Sequence, residues 1–212
     1  MKKNNIKKLF DLLRITEKLK RTKRWLNTKT MRRKESTADH SWNLAFFTMV
    51  ASSELELDID VNRSIKIALV HDLVEAIAGD TDASLIFLGK KTREEKQKAE
   101  INAMEKISEI APPKTARVIQ NLWQEYEDAI TPEAKFVKAL DKIEGINHML
   151  CKGHACFDNP ELIAPYPQNA VSHYPEVNPL YQELLLRLKP EFEKHGWEWK
   201  KEYDDMTGPA NK

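Results

Sequence analysis

The chain has 212 residues, of which 41% are hydrophobic and 32% charged, with 34 Lys and Arg against 33 Asp and Glu for a net charge of +1. That length suits one domain with a real core, the hydrophobic share excludes a disordered chain, and the near-neutral balance argues against a nucleic-acid polymer as partner. The longest charge-free run, residues 41–53, is too short to span a bilayer, and the Lys-rich start reaches Asp11 before a signal core forms, so a soluble, cytoplasmic protein with no membrane partner is expected.

Six glycines, and no strand-length alternation of apolar and polar residues, leave the i, i+3, i+4 repeat as the dominant pattern and predict an all-α fold. A first helix is expected over about 4–20, with Ile6, Leu9, Phe10, Leu13 and Leu19 facing inward. Ser36 and Asp39 have capping-box spacing, so a second helix begins near Ala38 and runs to about 54, with His40 in its first turn. A third starts after Asp60, carries His71-Asp72 and stops at Gly79. Thr92 and Glu95 open a charged helix to about 110, Pro112-Pro113 one to about 127, and Thr131-Pro132 one that passes Asp141 toward Lys152. Between 155 and 179 five of the ten prolines predict an extended connection over the surface, before a last helix over about 180–194. The domain is expected to span about 1–195 and the end of the chain, about 203–212, to be a mobile tail. Cys151 and Cys156 make neither a zinc ribbon nor a disulfide framework and read as free, partly buried thiols, while Trp42 reads as core.

The chemistry is concentrated where polar residues interrupt apolar runs. His71 and Asp72 sit within Ile67-Ala-Leu-Val-His-Asp-Leu-Val-Glu-Ala-Ile77, and burying an unpaired imidazole beside an unpaired carboxylate would cost several kcal/mol. A divalent cation offsets both at once. Adjacent helical residues differ by about 100° around the axis, so the two side chains can converge on one ion, with Glu75 four residues after His71 on the same side. His40, in Ala38-Asp-His-Ser-Trp42, and Asp141, in Ala139-Leu-Asp-Lys-Ile143, complete a ligand set of two imidazoles and two carboxylates. That set suits Mn²⁺, Co²⁺, Fe²⁺, Ni²⁺ or Zn²⁺ and leaves coordination positions for water and a phosphoryl oxygen. Asp141 shares a mixed stripe with Val137, Glu144 and His148, which suits the margin of a cleft, and His148, His154, His173 and His195 read as ordinary histidines. Glu125 or Glu127 would add a second-sphere or second-metal contact, or end a solvated helix.

The order His40, His71-Asp72, Asp141 resembles the H…HD…D signature of the HD-domain superfamily of metal-dependent phosphohydrolases. With Arg24-Trp25 upstream, Glu75 one turn after the doublet and Gly79-Asp80 beyond it, the chain is similar to the branch containing the 5′-deoxynucleotidases over about residues 5 to 150. The resemblance implies a single-domain helical bundle with the metal site between helices, hydrolysis of nucleoside 5′-monophosphates with a preference for deoxyribonucleotides, and a homodimer. It assigns Glu75 and Asp80 to proton handling, Arg24 to the phosphate and Trp25 to the sugar or base, where Trp25 reads equally well as a core anchor. After Gly79-Asp80 the chain reads Thr81-Asp82-Ala83-Ser84, where the resemblance leads us to expect a threonine-proline continuation. Phosphodiester or nucleoside polyphosphate hydrolysis is the nearest enzymatic alternative, and a catalytically silent metal-binding helical module the alternative outside catalysis.

Overall fold

The computed structural model describes residues 3–24, 34–153 and 156–204. Every regular element among them is helical, and the one extended pairing is an isolated antiparallel bridge between Lys23 and Ser36. The helices, in chain order, are α1 (Lys3–Leu19), α2 (Thr37–Glu54), α3 (Val61–Val70), α4 (Glu75–Ala78), α5 (Ala83–Phe87), α6 (Arg93–Ile110), α7 (Pro113–Asp128), α8 (Pro132–Lys152), α9 (Pro160–Ile163), α10 (Gln168–Ser172), α11 (Asn178–Lys194) and α12 (Lys201–Asp204).

The long helices begin where their capping chemistry says they should. Ser36 and Asp39 exchange side-chain and backbone hydrogen bonds at the start of α2, and Thr92 and Glu95 do so at the start of α6. Thr131 accepts from the Ala134 N–H and Pro132 occupies the first turn of α8, where its missing donor does no harm.

Two apolar cores result. One gathers Leu44 of α2, Ile67 and Ala68 of α3, most of the buried face of α8 and the aromatic residues of the C-terminal elements, including Tyr181, Phe192 and Tyr203. The other gathers Leu12, Ile15 and Leu19 of α1 with Leu73, Val74, Met104, Ile107 and Trp123. Ile67 and Ala68 belong to the first core and Leu73 and Val74 to the second, so His71 and Asp72 lie at the junction between them.

Four expectations are corrected here. α1 buries Leu12, Ile15 and Leu19, whereas Ile6, Phe10 and Leu13 are exposed. The helix carries two apolar stripes, and packing against α4 and α6 selects the second, with Lys8 Nζ donating to the final carbonyls of α6 at Glu109, 2.8 Å away. Trp42 is on the surface, stacked on Phe46. The proline-rich stretch folds as α9, α10 and a 3-10 turn (Pro175–Val177), each buried through one residue (Ile163, Val171, Val177), because proline is tolerated in a helical first turn. The expected tail begins too early: Tyr203 is 1% exposed within α12, and residues 205–212 lie outside the described residues. No helix among the described residues is long and apolar enough to cross a membrane.

Candidate metal centre and catalytic cleft

The predicted third helix does not run through the doublet. α3 ends at Val70, and the next backbone bonds tighten to Leu73 N–H→Val70 O (2.9 Å) and Glu75 N–H→Asp72 O (3.0 Å). His71 supplies the cause. Its Nδ1 takes the Ala68 carbonyl at 2.8 Å, the acceptor that a continuing helix would give to the Asp72 N–H. In such a 3-10-like turn residues i and i+3 eclipse, so Glu75 stands beside Asp72 rather than beneath His71.

His40, in the first turn of α2, is fully buried, and its Nδ1 lies 2.6 Å from Glu144 Oε2. Both imidazoles therefore have an acceptor at Nδ1, which places the proton there and turns the Nε2 lone pair toward the cluster. His40 Nε2 lies 3.0 Å from Asp141 Oδ1 and 3.8 Å from Asp72 Oδ2, and His71 Nε2 lies 3.1 Å from Asp72 Oδ2. Neither Nε2 makes a well-directed hydrogen bond among the described residues, although both are buried. Ligand atoms of His40, His71 and Asp72 all fall within 4.8 Å of one another. Lone pairs of two imidazoles aimed at two carboxylates repel unless a cation lies between them, and these residues fit a divalent transition metal for that reason. Without one, protonation is the substitute. Burial and Arg24 oppose charging of His40, yet the carboxylates of Asp141 and Glu144 against its two ring nitrogens raise its pKa to about 9.

Asp141 is deep in the interior rather than at a margin, as is the rest of its stripe: Val137 is fully buried and Glu144 6% exposed. α8 is the central helix, packed against α2, α3, α7, α10 and α11, so its polar stripe is enclosed. Asp141 Oδ2 accepts from Tyr126 Oη and Lys142 Nζ, each at 2.6 Å. Burial pushes the Asp141 carboxyl up, but Lys142, His40 and His71 outweigh it and hold the group well below the usual range. Asp72 behaves alike, with His71 and Arg24 overriding burial; Arg24 Nη1 lies 3.0 Å from Asp72 Oδ2.

Glu75 and Asp80 are in the opposite condition. Burial, Asp72 and Asp80 drive the Glu75 carboxyl well above its ordinary value, against the hydrogen bond that Thr37 Oγ1 donates to Oε2 at 2.7 Å. Burial raises Asp80 to about 6, with Arg24 opposing and Asp72 adding to the rise. Gly79 ends α4 at φ +76°, a conformation that residues with a Cβ rarely adopt, and hands the chain to Asp80. Asp80 opens on a cleft of about 560 Å³ between α1 and the α4 end, lined by basic side chains that include Arg14, Lys18, Arg21 and Lys23.

The structure thus brings His40, His71, Asp72, Asp141, Glu75, Asp80 and Arg24 into one region. Trp25 and His154 lie outside the described residues. Asp82 caps the short α5 by accepting from Ser84 N–H at 2.9 Å, which accounts for the unexpected residues after Asp80. Glu125 is occupied by Arg63 and by Thr131 Oγ1, a structural role. Sequence reasoning missed Glu144, Tyr126, Thr37, Glu35 and His148 as partners of site residues. His148 Nδ1 lies 3.0 Å from Glu35 Oε1, and Glu35 Oε2 lies 3.4 Å from Arg24 Nε. The i, i+3, i+7 spacing of Asp141, Glu144 and His148 was the available signal.

The human protein named 5′-deoxynucleotidase HDDC2 is 35% identical over 140 residues, covering 65% of this chain and 65% of that protein. The Schizosaccharomyces pombe 5′-deoxynucleotidase hdd1 is 40% identical over 119 residues, 54% of this chain and 57% of that one. The match spans a little under two thirds of the length of the animal relatives. The crystal structure of a predicted metal-dependent phosphohydrolase from Magnetospirillum magnetotacticum superposes with a TM-score of 0.76 over 92% of this chain and 97% of that one, at 22% identity, and shares the fold. The family model described as HD domain matches residues 16–161; His40, His71 and Asp72 of the signature cluster in space, with Asp141 beside His40, and the chain belongs to the HD domain family.

Proposed function

We propose that the protein is a metal-dependent phosphomonoesterase that releases inorganic phosphate from nucleoside 5′-monophosphates, preferring deoxyribonucleotides. One observation carries the reading: four carboxyl groups gather in one region, Asp72 and Asp141 against the imidazoles and the cations Arg24 and Lys142, and Glu75 and Asp80 beside them, Glu75 on the neutral donor Thr37, so that the first pair is held charged and the second is raised. That division matches ligands on one side and proton carriers on the other. The names of the human and fission-yeast relatives support the substrate class.

His40, His71, Asp72 and Asp141 would hold a divalent transition metal, Mn, Co, Fe, Ni or Zn. When bound, such an ion supplies Lewis-acid polarisation of a phosphoryl oxygen and of water. Glu144 and the Ala68 carbonyl keep both imidazoles in the tautomer that ligation needs. Glu75, aimed by Thr37, and Asp80 share the proton work: one carboxylate takes a proton from the attacking water, and one carboxylic acid returns a proton to the departing 5′ oxygen. Arg24 offers a fork to the phosphate, and the resemblance gives Trp25 the sugar or base. A single phosphate with two charges suits this set better than a triphosphate.

The chain acts as a cytoplasmic homodimer in this reading. The exposed stripe of Trp42, Phe46 and Met49 on α2, beside Leu69 of α3, supports an association surface, and free Cys151 and Cys156 suit a reducing compartment. Phosphate release assayed on matched deoxy and ribo monophosphates, triphosphates and cyclic nucleotides is the test. Deoxyribonucleoside monophosphates are expected to be the best substrates, and turnover confined to triphosphates or cyclic nucleotides would overturn the reading.

A further inference from the structure

Glu35 and His148 take no part in the chemistry described so far, yet both are interior. Glu35 precedes the cap of α2 and is 4% exposed, and the His148 side chain, two turns along α8 from Asp141, is 12% exposed. An ionised carboxylate at such a depth costs several kcal/mol unless both oxygens find partners. Here Oε2 faces Arg24 Nε at 3.4 Å and Oε1 faces His148 Nδ1 at 3.0 Å. Burial alone would push the Glu35 carboxyl up, but the neighbouring His148 and the charge of Arg24 hold it below its ordinary value.

The main chain repeats the connection. Arg24 N–H donates to Glu35 O and Thr37 N–H to Thr22 O, both at 3.0 Å, on either side of the Lys23–Ser36 bridge. The segment carrying Arg24 is thereby pinned to the start of α2, the helix that also supplies His40 and Thr37 to the site. Arg24 has Asp72 as a second carboxylate partner, at Nη1. Asp72 is assigned to the metal, whereas Glu35, on the Nε side of the guanidinium, is a carboxylate that the metal does not claim.

We propose that Glu35, backed by His148, is a positioning residue that fixes the Nε edge of Arg24 so that its Nη donors meet the phosphate of the substrate. This rests on the phosphomonoesterase reading for what Arg24 binds. A planar fork must be oriented to be useful, whereas a lysine in its place would present a point charge that needs no such guide.

The test is calorimetric titration of the Mn²⁺-loaded protein with inorganic phosphate, with metal content measured on each sample. Glu35→Gln keeps the shape and should weaken phosphate binding about 10-fold at unchanged metal content, on the scale of a lost supporting partner. In an Arg24→Lys background the same substitution should add less than about twofold, because the group it orients is gone. His148→Gln should move affinity in the same direction by a smaller factor and be silenced likewise by Arg24→Lys; it decides the question if Glu35→Gln does not fold. Equal losses in both backgrounds, metal lost together with phosphate, or no phosphate bound by the wild type would each overturn the proposal. A coupled pair in a protein that hydrolyses no monophosphate would sustain the positioning role and sink the phosphomonoesterase reading, and additive losses in an active enzyme would do the reverse.

Discussion

Asp72 and Glu75 are three residues apart in one tightened turn, and their carboxyl groups experience opposite surroundings. Asp72 has His71 at 3.1 Å and Arg24 at 3.0 Å, and keeps its charge in spite of burial. Glu75 is buried with a neutral donor, Thr37, for its nearest partner, while Asp72 and Asp80 repel any charge placed on it. Asp141 and Asp80 repeat the contrast across the site, one held down by Lys142 and the imidazoles, the other raised to about 6. Glu75 and Asp141 are buried and Asp72 and Asp80 partly so, and desolvation acts upward on all four. What separates them is whether a cation or another carboxylate is the neighbour, and that choice divides groups that can bind a metal from groups that can carry a proton at neutral pH.

The contrast can be broken most severely at its charged side. Asp72→Asn keeps the volume but removes the charge, so bound metal and activity should fall together, activity by about 10³-fold or more. Elemental analysis beside a phosphate-release assay checks it, and near-normal values of both would remove Asp72 from the ligand set. On the other side, Glu75→Gln should leave metal content intact while kcat drops about 10²-fold, the scale of a lost general acid or base. Loss of metal from that variant would make Glu75 a ligand instead.

A smaller effect sharpens the comparison through stability. In the metal-stripped protein His40 has a folded-state pKa of about 9 against an ordinary 6.5. Its protonated form thus contributes stability that is complete below pH 6.5 and is lost as the pH rises through 9. Metal binding displaces that proton, so loaded protein should gain affinity for its ion over the same window. Melting temperatures from pH 6 to 9.5 should therefore fall for stripped protein and diverge from those of loaded protein. Parallel curves would contradict the placement of His40.

The candidate ligands were legible because His40, His71, Asp72 and Asp141 combine uncommon residue types with apolar flanks, and the helix starts were legible because caps such as Ser36 and Thr92 act locally. The sequence could not reveal the break at His71, since the competition for the Ala68 carbonyl is between a side chain and the helix's own backbone, and a periodicity cannot express that. Nor could it choose between the two apolar stripes of α1, where only the partner helices decide. Glu35 was hidden for a third reason. Its partners Arg24 and His148 are 11 residues before it and 113 after it, and nothing local marks a glutamate ahead of a capping serine as interior.

The separation of the four carboxyls can be read directly. Metal-stripped protein labelled with ¹³C at Asp and Glu carboxyl carbons, titrated by NMR with Asp72→Asn, Asp141→Asn, Glu75→Gln and Asp80→Asn for assignment, should show the Asp80 carbon changing near pH 6 and the Glu75 carbon well above the ordinary glutamate range. Asp72 and Asp141 should remain ionised below the ordinary aspartate range. Four carboxyls titrating together near pH 4 would contradict the division of this site into ligands and proton carriers.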